Sequence, residues 1–216
     1  MTVKEILSLE HSDNLIALKG WVRTKRGSKN VSFIALNDGS TINNIQIVAE
    51  SNDFSDELVR TITTGSCISI SGNLVKSKGQ GQENEIIAKS INLLGEADAK
   101  EYPLQPKKHS LDFLREKAHL RFRTNTFSAV FRLRHSLQFA VHKFFHDRGF
   151  FNLHTPIITG VDAEGAGEMF QVTNLDLNKI PKIGSSVDFS KDFFGKKTGL
   201  TVSGQLEAEM GAMGLG

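Results

Sequence analysis

Five short runs of alternating apolar and polar residues between Leu15 and Leu94 constrain this chain more than any other feature. They are Leu15–Thr24, Val31–Asn37, Asn44–Ala49, Cys67–Val75 and Glu85–Leu94. A period of two places successive side chains on opposite faces, the pattern of strands that bury one side. Turn residues separate the runs: Arg26-Gly27-Ser28, Asn37-Asp38-Gly39-Ser40 and Lys78-Gly79-Gln80-Gly81. Asn37-Asp38-Gly39 is a hairpin signal, because Asp-Gly tolerates positive φ. Residues 1–12 predict a short helix with Val3, Ile6, Leu7 and Leu9 on one face. Asp53 to Arg60 predicts a second helix, between the third and fourth strands.

Five strands with one inserted helix is the strand census of an OB-fold, a small barrel that commonly binds oligonucleotides. Strand parity then singles out two side chains. Ile34 and Leu36 share one face of the second run, and Ile45, Ile47 and Ala49 one face of the third. If these aliphatic sets fill the barrel, Phe33 and Gln46 point outward together. An outward aromatic beside an amide can stack on a base and read its hydrogen-bonding edge. Phe33 as an ordinary core residue fits the pattern equally well. Basic Arg23, Lys25, Arg26 and Lys29 flank the pair.

The rest of the chain changes character. Residues 1–98 form the expected barrel domain, 99–123 a linker carrying Pro103 and Pro106, and 124–216 a separate region. A long helix is predicted from a cap at Thr124 or Asn125 to near Gly149, a suitable residue to end it. Phe127, Phe131, Leu133, Leu137, Val141, Phe144 and Phe145 give it a broad apolar face. A strand over 150–154, a Gly-rich acidic loop over 160–168, a polar excursion over 174–198 and a final helix from about Ser203 follow. The fold class is therefore α+β: a five-stranded barrel, then an incomplete antiparallel sheet with helices. Residues 104–148 hold 10 Lys/Arg and 5 His against 3 Asp/Glu. That excess reads either as a stripe facing a polyanion or as a solvated helix face.

Several chemistries are disfavoured. His142 and His146 stand four apart on a helix, but no Glu follows the first, as a zinc protease would need. Gly165-Ala166-Gly167 lacks the Lys-Ser/Thr of a phosphate loop, and Ser203 has no evident His/Asp partners. No metal ligand set is expected. The single Cys67 rules out an internal disulfide. No apolar run approaches the roughly 20 residues of a membrane span, and the N-terminus lacks a signal peptide, so the chain reads as cytoplasmic with no membrane partner.

Gly149-Phe-Phe-Asn-Leu-His-Thr-Pro156, after its long helix, resembles motif 1 of class II aminoacyl-tRNA synthetases, where helix and strand build the dimer interface. The preceding barrel is similar to that of the aspartyl/asparaginyl/lysyl subgroup. Within it, His109-Ser-Leu-Asp-Phe-Leu-Arg115, His119-Leu-Arg-Phe-Arg-Thr-Asn-Thr126, Glu164-Gly-Ala-Gly-Glu-Met-Phe170, Val187-Asp-Phe-Ser-Lys-Asp-Phe-Phe-Gly195 and Leu200-Thr-Val-Ser-Gly-Gln-Leu206 resemble bacterial asparaginyl-tRNA synthetases. The resemblance spans essentially the whole chain.

It implies a two-step ligation. Asparagine and ATP give asparaginyl-adenylate, with Mg2+ ligands expected outside this sequence, and the acyl group passes to tRNA(Asn) on a homodimeric enzyme. It implies that Phe33 and Gln46 read the central anticodon base, a uridine, with Arg23 and Lys25 beside them. Glu164 would meet the substrate ammonium from a mobile loop, a solvated acidic loop being the alternative. Ser203 and Gln205 would line the amino-acid and adenylate pocket, although Ser203 is also a good helix N-cap. Pro156 would close motif 1. Aspartyl enzymes carry a lysine where Ala208 stands, so Ala208 implies a preference for a neutral amide over a carboxylate. Motifs 2 and 3 are absent, so the expectation is a truncated chain that alone neither activates asparagine nor exchanges pyrophosphate. The alternatives are an aspartyl-tRNA synthetase-type enzyme or a stand-alone tRNA anticodon-binding module.

Overall fold

The alternating runs pair as β1 (Ser12–Gly27), β2 (Val31–Asn37), β3 (Ile45–Glu50), β4 (Cys67–Lys76) and β5 (Asn84–Gly95), closing a barrel in the order β1-β2-β3-β5-β4. All neighbours are antiparallel except β3 and β5, which run parallel through Gln46↔Glu85, Ile47↔Ile86 and Val48↔Ile87. A computed structural model describes residues 1–10, 12–28, 30–77, 79, 82–163 and 169–215, in two units, 1–136 and 137–216.

The barrel core follows the sequence parity. Ile34, Leu36, Ile45, Ile47, Ile68, Ile70 and Ile86 are all buried, and Phe33 and Gln46 fall on the other face, partly exposed. Helix α1 (Val3–Leu7) is shorter than the expected 1–12; Ser8 ends it, its hydroxyl donating to the carbonyls of Lys4 and Glu5. Thr2 and Glu5 form a reciprocal capping box at its start, while Val3 and Ile6 enter the core. The backbone N–H groups of Val3 and Lys4 donate to Asp38 and Ser40, which docks α1 on the β2–β3 loop. Burial raises the Asp38 pKa, but the hydrogen bonds from Ser40 and the Val3 N–H outweigh it and hold the carboxyl below its ordinary range. Helix α2 (Asp56–Thr61), capped by Ser55, occupies the predicted place between β3 and β4.

One irregularity in β1 matters for everything that follows. Its pairing with β2 slips between Val22 and Thr24, leaving Arg23 as the extra residue of a β-bulge. Val22 stands opposite Leu36 and Lys25 opposite Ile34, both buried partners, whereas Thr24 and Arg26 stand opposite Ala35 and Phe33. The bulge therefore exchanges the faces of β1 half-way along.

Beyond the barrel, α3 (Leu111–Glu116) is capped by Ser110 and buries Leu114. Helix α4 (Asn125–His146) starts where expected, with the Thr124 hydroxyl accepting from the Phe127 N–H at 3.3 Å. It ends at His146, and the turn after it closes through Gly149, whose N–H donates to the His146 carbonyl and whose φ of +80° suits glycine.

In the second unit a three-stranded sheet runs β6 (Ile158–Thr159), β10 (Thr198–Leu200), β7 (Gln171–Val172), and β8 (Lys182–Ile183) pairs with β9 (Ser186–Val187). The strand expected over 150–154 is absent: this stretch pairs with no neighbouring strand, so its backbone has no ladder to join, and its side chains are exposed. Helix α5 (Gln205–Leu215) begins just after Ser203. Among the described residues, no helix is long and apolar enough to cross a membrane.

Candidate functional site

The outward face of β1, β2 and β3 forms one wall of an open cleft of about 1090 Å³, whose lining includes Phe33, Gln46, Arg26, Lys25, Asn44 and Asn84. Phe33 and Arg26 are cross-strand partners, as are Ala35 and Gln46. The Gln46 amide is held from both ends. Its Nε2 donates to Glu85 Oε2 at 2.9 Å, and its Oε1 accepts from Arg26 at 3.4 Å. Glu85 is 6% exposed and also accepts from Ser77 at 3.0 Å and Gln82 at 3.3 Å. Buried carboxylates persist where they collect such donors. The Gln46 amide keeps one N–H and one lone pair for a ligand, beside an aromatic ring and a guanidinium.

Of the two other basic residues expected here, Lys25 borders the cleft but commits its ammonium to α2, and Arg23 lies elsewhere. The Lys25 ammonium donates to the carbonyl of Ile62 at 2.7 Å and to that of Val59, closing the C-terminal end of α2. Burial pushes its pKa below the ordinary lysine value. Arg23 donates to Asn125 Oδ1 at 3.1 Å and lines two other clefts. The bulge explains both outcomes: it turns Lys25 to the face of Ile34 and presents Arg26 beside Phe33. Sequence reading missed Glu85, which stands at the head of the fifth run; its pairing with Gln46 depends on the parallel β3–β5 seam, which no local pattern announces.

In the second unit, Ser203 sits at the start of α5, its hydroxyl accepting from the Gln205 N–H at 3.1 Å. Thr201 braces it by donating to the Ser203 carbonyl and accepting from its N–H. Gln205 is exposed, and its Nε2 reaches Glu209 at 3.5 Å. Ala208 lies one turn on and lines a groove of about 440 Å³ with Phe150, Phe151, Leu153 and Gly211. Small residues allow this approach: a Cβ on Gly204 would meet Thr155 Oγ1 at 2.6 Å, and one on Gly211 would meet Leu153 Cδ2 at 2.9 Å. Pro156 is exposed at the end of the unpaired stretch. In the same unit Phe139, Phe145, Phe150 and Phe151 line an open, largely apolar groove of about 850 Å³. Glu164 and the rest of 164–168 lie outside the described residues.

Among the described residues no three His, Cys, Asp or Glu gather in a way that could hold a metal ion.

Known proteins give the same two-part picture. Residues 16–94 match the OB-fold nucleic acid binding domain family, and residues 110–204 match tRNA synthetases class II (D, K and N). The chain is 60% identical to the asparagine–tRNA ligase of Cytophaga hutchinsonii over 99% of its own length and 47% of that protein. It is 56% identical to the asparagine–tRNA ligase of Parabacteroides distasonis over 99% of its length and 46% of that protein. It thus spans about half the length of the curated relatives it matches. The fold is shared with asparaginyl-tRNA synthetase from Pyrococcus horikoshii complexed with asparaginyl-adenylate, with a TM-score of 0.76 and 19% identity over 100% of this chain and 45% of that one. The Entamoeba histolytica asparaginyl-tRNA synthetase in complex with asparaginyl-adenylate aligns with a TM-score of 0.73 and 22% identity, over 95% and 43% of the two chains. A nucleic-acid-binding barrel and a class II (D, K and N) synthetase region are thus matched in order, and along nearly every residue the chain is similar to about half of a bacterial asparagine–tRNA ligase.

Proposed function

We propose that this chain supplies the anticodon-reading barrel and part of the aminoacylation site of an asparagine–tRNA ligase. Such an enzyme forms asparaginyl-adenylate from asparagine and ATP and transfers the acyl group to tRNA(Asn). The observation that carries the reading is the Gln46 amide, fixed between Arg26 and Glu85 beside the Phe33 ring. The central anticodon base stacks on Phe33, and the amide meets its Watson–Crick edge. Uridine and cytidine present opposite orders of donor and acceptor. An amide that is free to turn over accepts either, whereas one pinned at both ends accepts one. A tRNA with uridine at the central anticodon position is expected to bind about tenfold or more tightly than the same tRNA with cytidine there, the scale of one bidentate base contact. Equal dissociation constants for the two transcripts would remove this reading.

The chain divides into an anticodon-binding barrel over 1–98, a hinge over 99–123 and a catalytic part over 124–216, with a homodimer formed through α4 and the stretch ending at Pro156; the aromatic groove along 139–152 supports a partner surface there. On the catalytic side Ser203 and Gln205 line the amino-acid pocket at the start of α5, Glu164 approaches the substrate ammonium, and Ala208 leaves the site without a cation for a substrate carboxylate. Ala208→Lys in the full-length protein is expected to move the asparagine-to-aspartate preference by about 2–5 kcal/mol towards aspartate. Amino-acid-dependent ATP–pyrophosphate exchange measures it. Ala208→Met adds similar bulk to the groove without charge, and an equal shift in that variant would assign the effect to packing.

A further inference from the structure

The β1 bulge directs Arg23 away from the base-reading face, to a place where positive charge accumulates unopposed. Arg23 donates to Asn125 at the start of α4, and the Arg123 guanidinium lies 4.8 Å from the centre of the Trp21 ring. Arg23, Arg123 and Asn125 together line two adjoining clefts of about 390 and 490 Å³. Lys107, Lys108 and His109 join them in the first, and Arg132 in the second. No Asp or Glu lines either cleft. Among the described residues neither Arg23 nor Arg123 has a carboxylate partner.

That arrangement is unfavourable in the unliganded protein. Burial lowers the Arg23 pKa, Tyr102 raises it, and the like charge of Arg123 lowers it again. Two guanidinium groups are held near each other, partly desolvated and without a counter-ion. The 22-residue helix α4 starts at the same point, and the N-terminal end of its dipole adds positive potential. An anion seated between the two arginines relieves both repulsion and desolvation.

We propose that this double cleft seats a backbone phosphate of the bound RNA, a contact separate from the base-reading face. The proposal rests on the reading that the barrel binds tRNA. A track of cations running from Lys107 to Arg132 around a shared arginine pair suits a polyanion rather than one small ion. Such a contact adds affinity without base preference.

The test is the salt dependence of tRNA binding by the full chain. Each phosphate contact contributes about 0.7–0.9 to the slope of log affinity against log salt concentration. Arg23→Gln and Arg123→Gln are each expected to reduce that slope by about 1 while preserving the preference for a central uridine. Arg123→Lys, which keeps the charge, should retain the slope. Lys107→Gln, at an exposed side chain, should reduce it without touching the Trp21 stack. Trp21 is the only tryptophan, so its emission should change on tRNA addition, also with the Phe33→Ala variant at saturating tRNA. Slopes unchanged in all three Gln variants would overturn the proposal. So would loss of uridine preference at constant slope, which would place the pair in the base-reading site. Inorganic phosphate that shifts Trp21 emission while the tRNA slopes stay at the wild-type value would make this a free-anion site, and the proposal would fail. A reduced slope with no uridine preference in the wild type supports this contact and removes the base-reading proposal instead.

Discussion

Ile47→Ala is expected to lower the unfolding free energy of the barrel by about 2–5 kcal/mol, the usual range for truncating a fully buried aliphatic side chain. Ile47 is 0% exposed. It lies on β3, the strand that pairs with β2 on one side and β5 on the other, opposite Ile34 and Ile86. All three of these isoleucines are buried, so the cavity left behind is walled by closed-packed neighbours that cannot collapse far. A loss of this size is a large fraction of the roughly 5–15 kcal/mol that holds a typical domain together. Urea unfolding followed by Trp21 emission gives the midpoint. Leu94→Ala, at a side chain 54% exposed on the same barrel, is the control and should change stability by less than about 0.5 kcal/mol. Similar losses in both variants would mean that the buried aliphatic set does not carry the fold.

Phe33→Ala has the opposite profile. Its ring is only partly buried on the outer face, so stability should change little. The affinity for tRNA with a central uridine should fall by about 1–3 kcal/mol, the range for removing an aromatic platform under one base, or roughly 5- to 150-fold. Phe33→Tyr keeps the platform and should retain most of the affinity. Gln46→Glu tests the partner group: it sets a second carboxylate against Glu85 and abolishes the donor–acceptor order, so uridine preference should disappear even where affinity survives. An undiminished affinity in Phe33→Ala would show that no base stacks there.

How far these expectations could be read from the sequence depends on how local their causes are. The five strands, the inserted helix and the inward sets Ile34/Leu36 and Ile45/Ile47 were legible because a period of two is a local property. The long helix was legible for the same reason, through its apolar period and the glycine in the turn after it. The destinations of Arg23 and Lys25 were not. A bulge is one residue of slippage against a neighbouring strand, and nothing in Trp21-Val22-Arg23-Thr24-Lys25 marks where it falls. Continuing the parity of Val22 through that point sends Lys25 outward and Arg26 inward, the reverse of what the pairing imposes. Glu85 was invisible because its role is set by a residue 39 positions away. The stretch over 150–154 reads as a strand by composition, yet a strand also needs a partner, which composition does not supply.

The parallel seam between β3 and β5 has a consequence for the order of events in the cell. Antiparallel pairs such as β2–β3 and β4–β5 join segments close in sequence, and their closure is fast. The seam joins segments separated by a helix and a whole strand, and the β1–β4 pairing is less local still, so both are expected to close after the hairpins, and the Gln46–Glu85 bond forms only with the seam. Until then the amide can turn over and the Phe33 platform has no partner to give it selectivity. If the barrel binds tRNA as proposed, a nascent or partly unfolded one is expected to attract RNA through charge alone, without preference among anticodons. On the proposed reading of Phe33 and Gln46, discrimination among anticodons is expected only once the β3–β5 seam has closed, so a chain that fails to close should lose selectivity before it loses affinity for RNA.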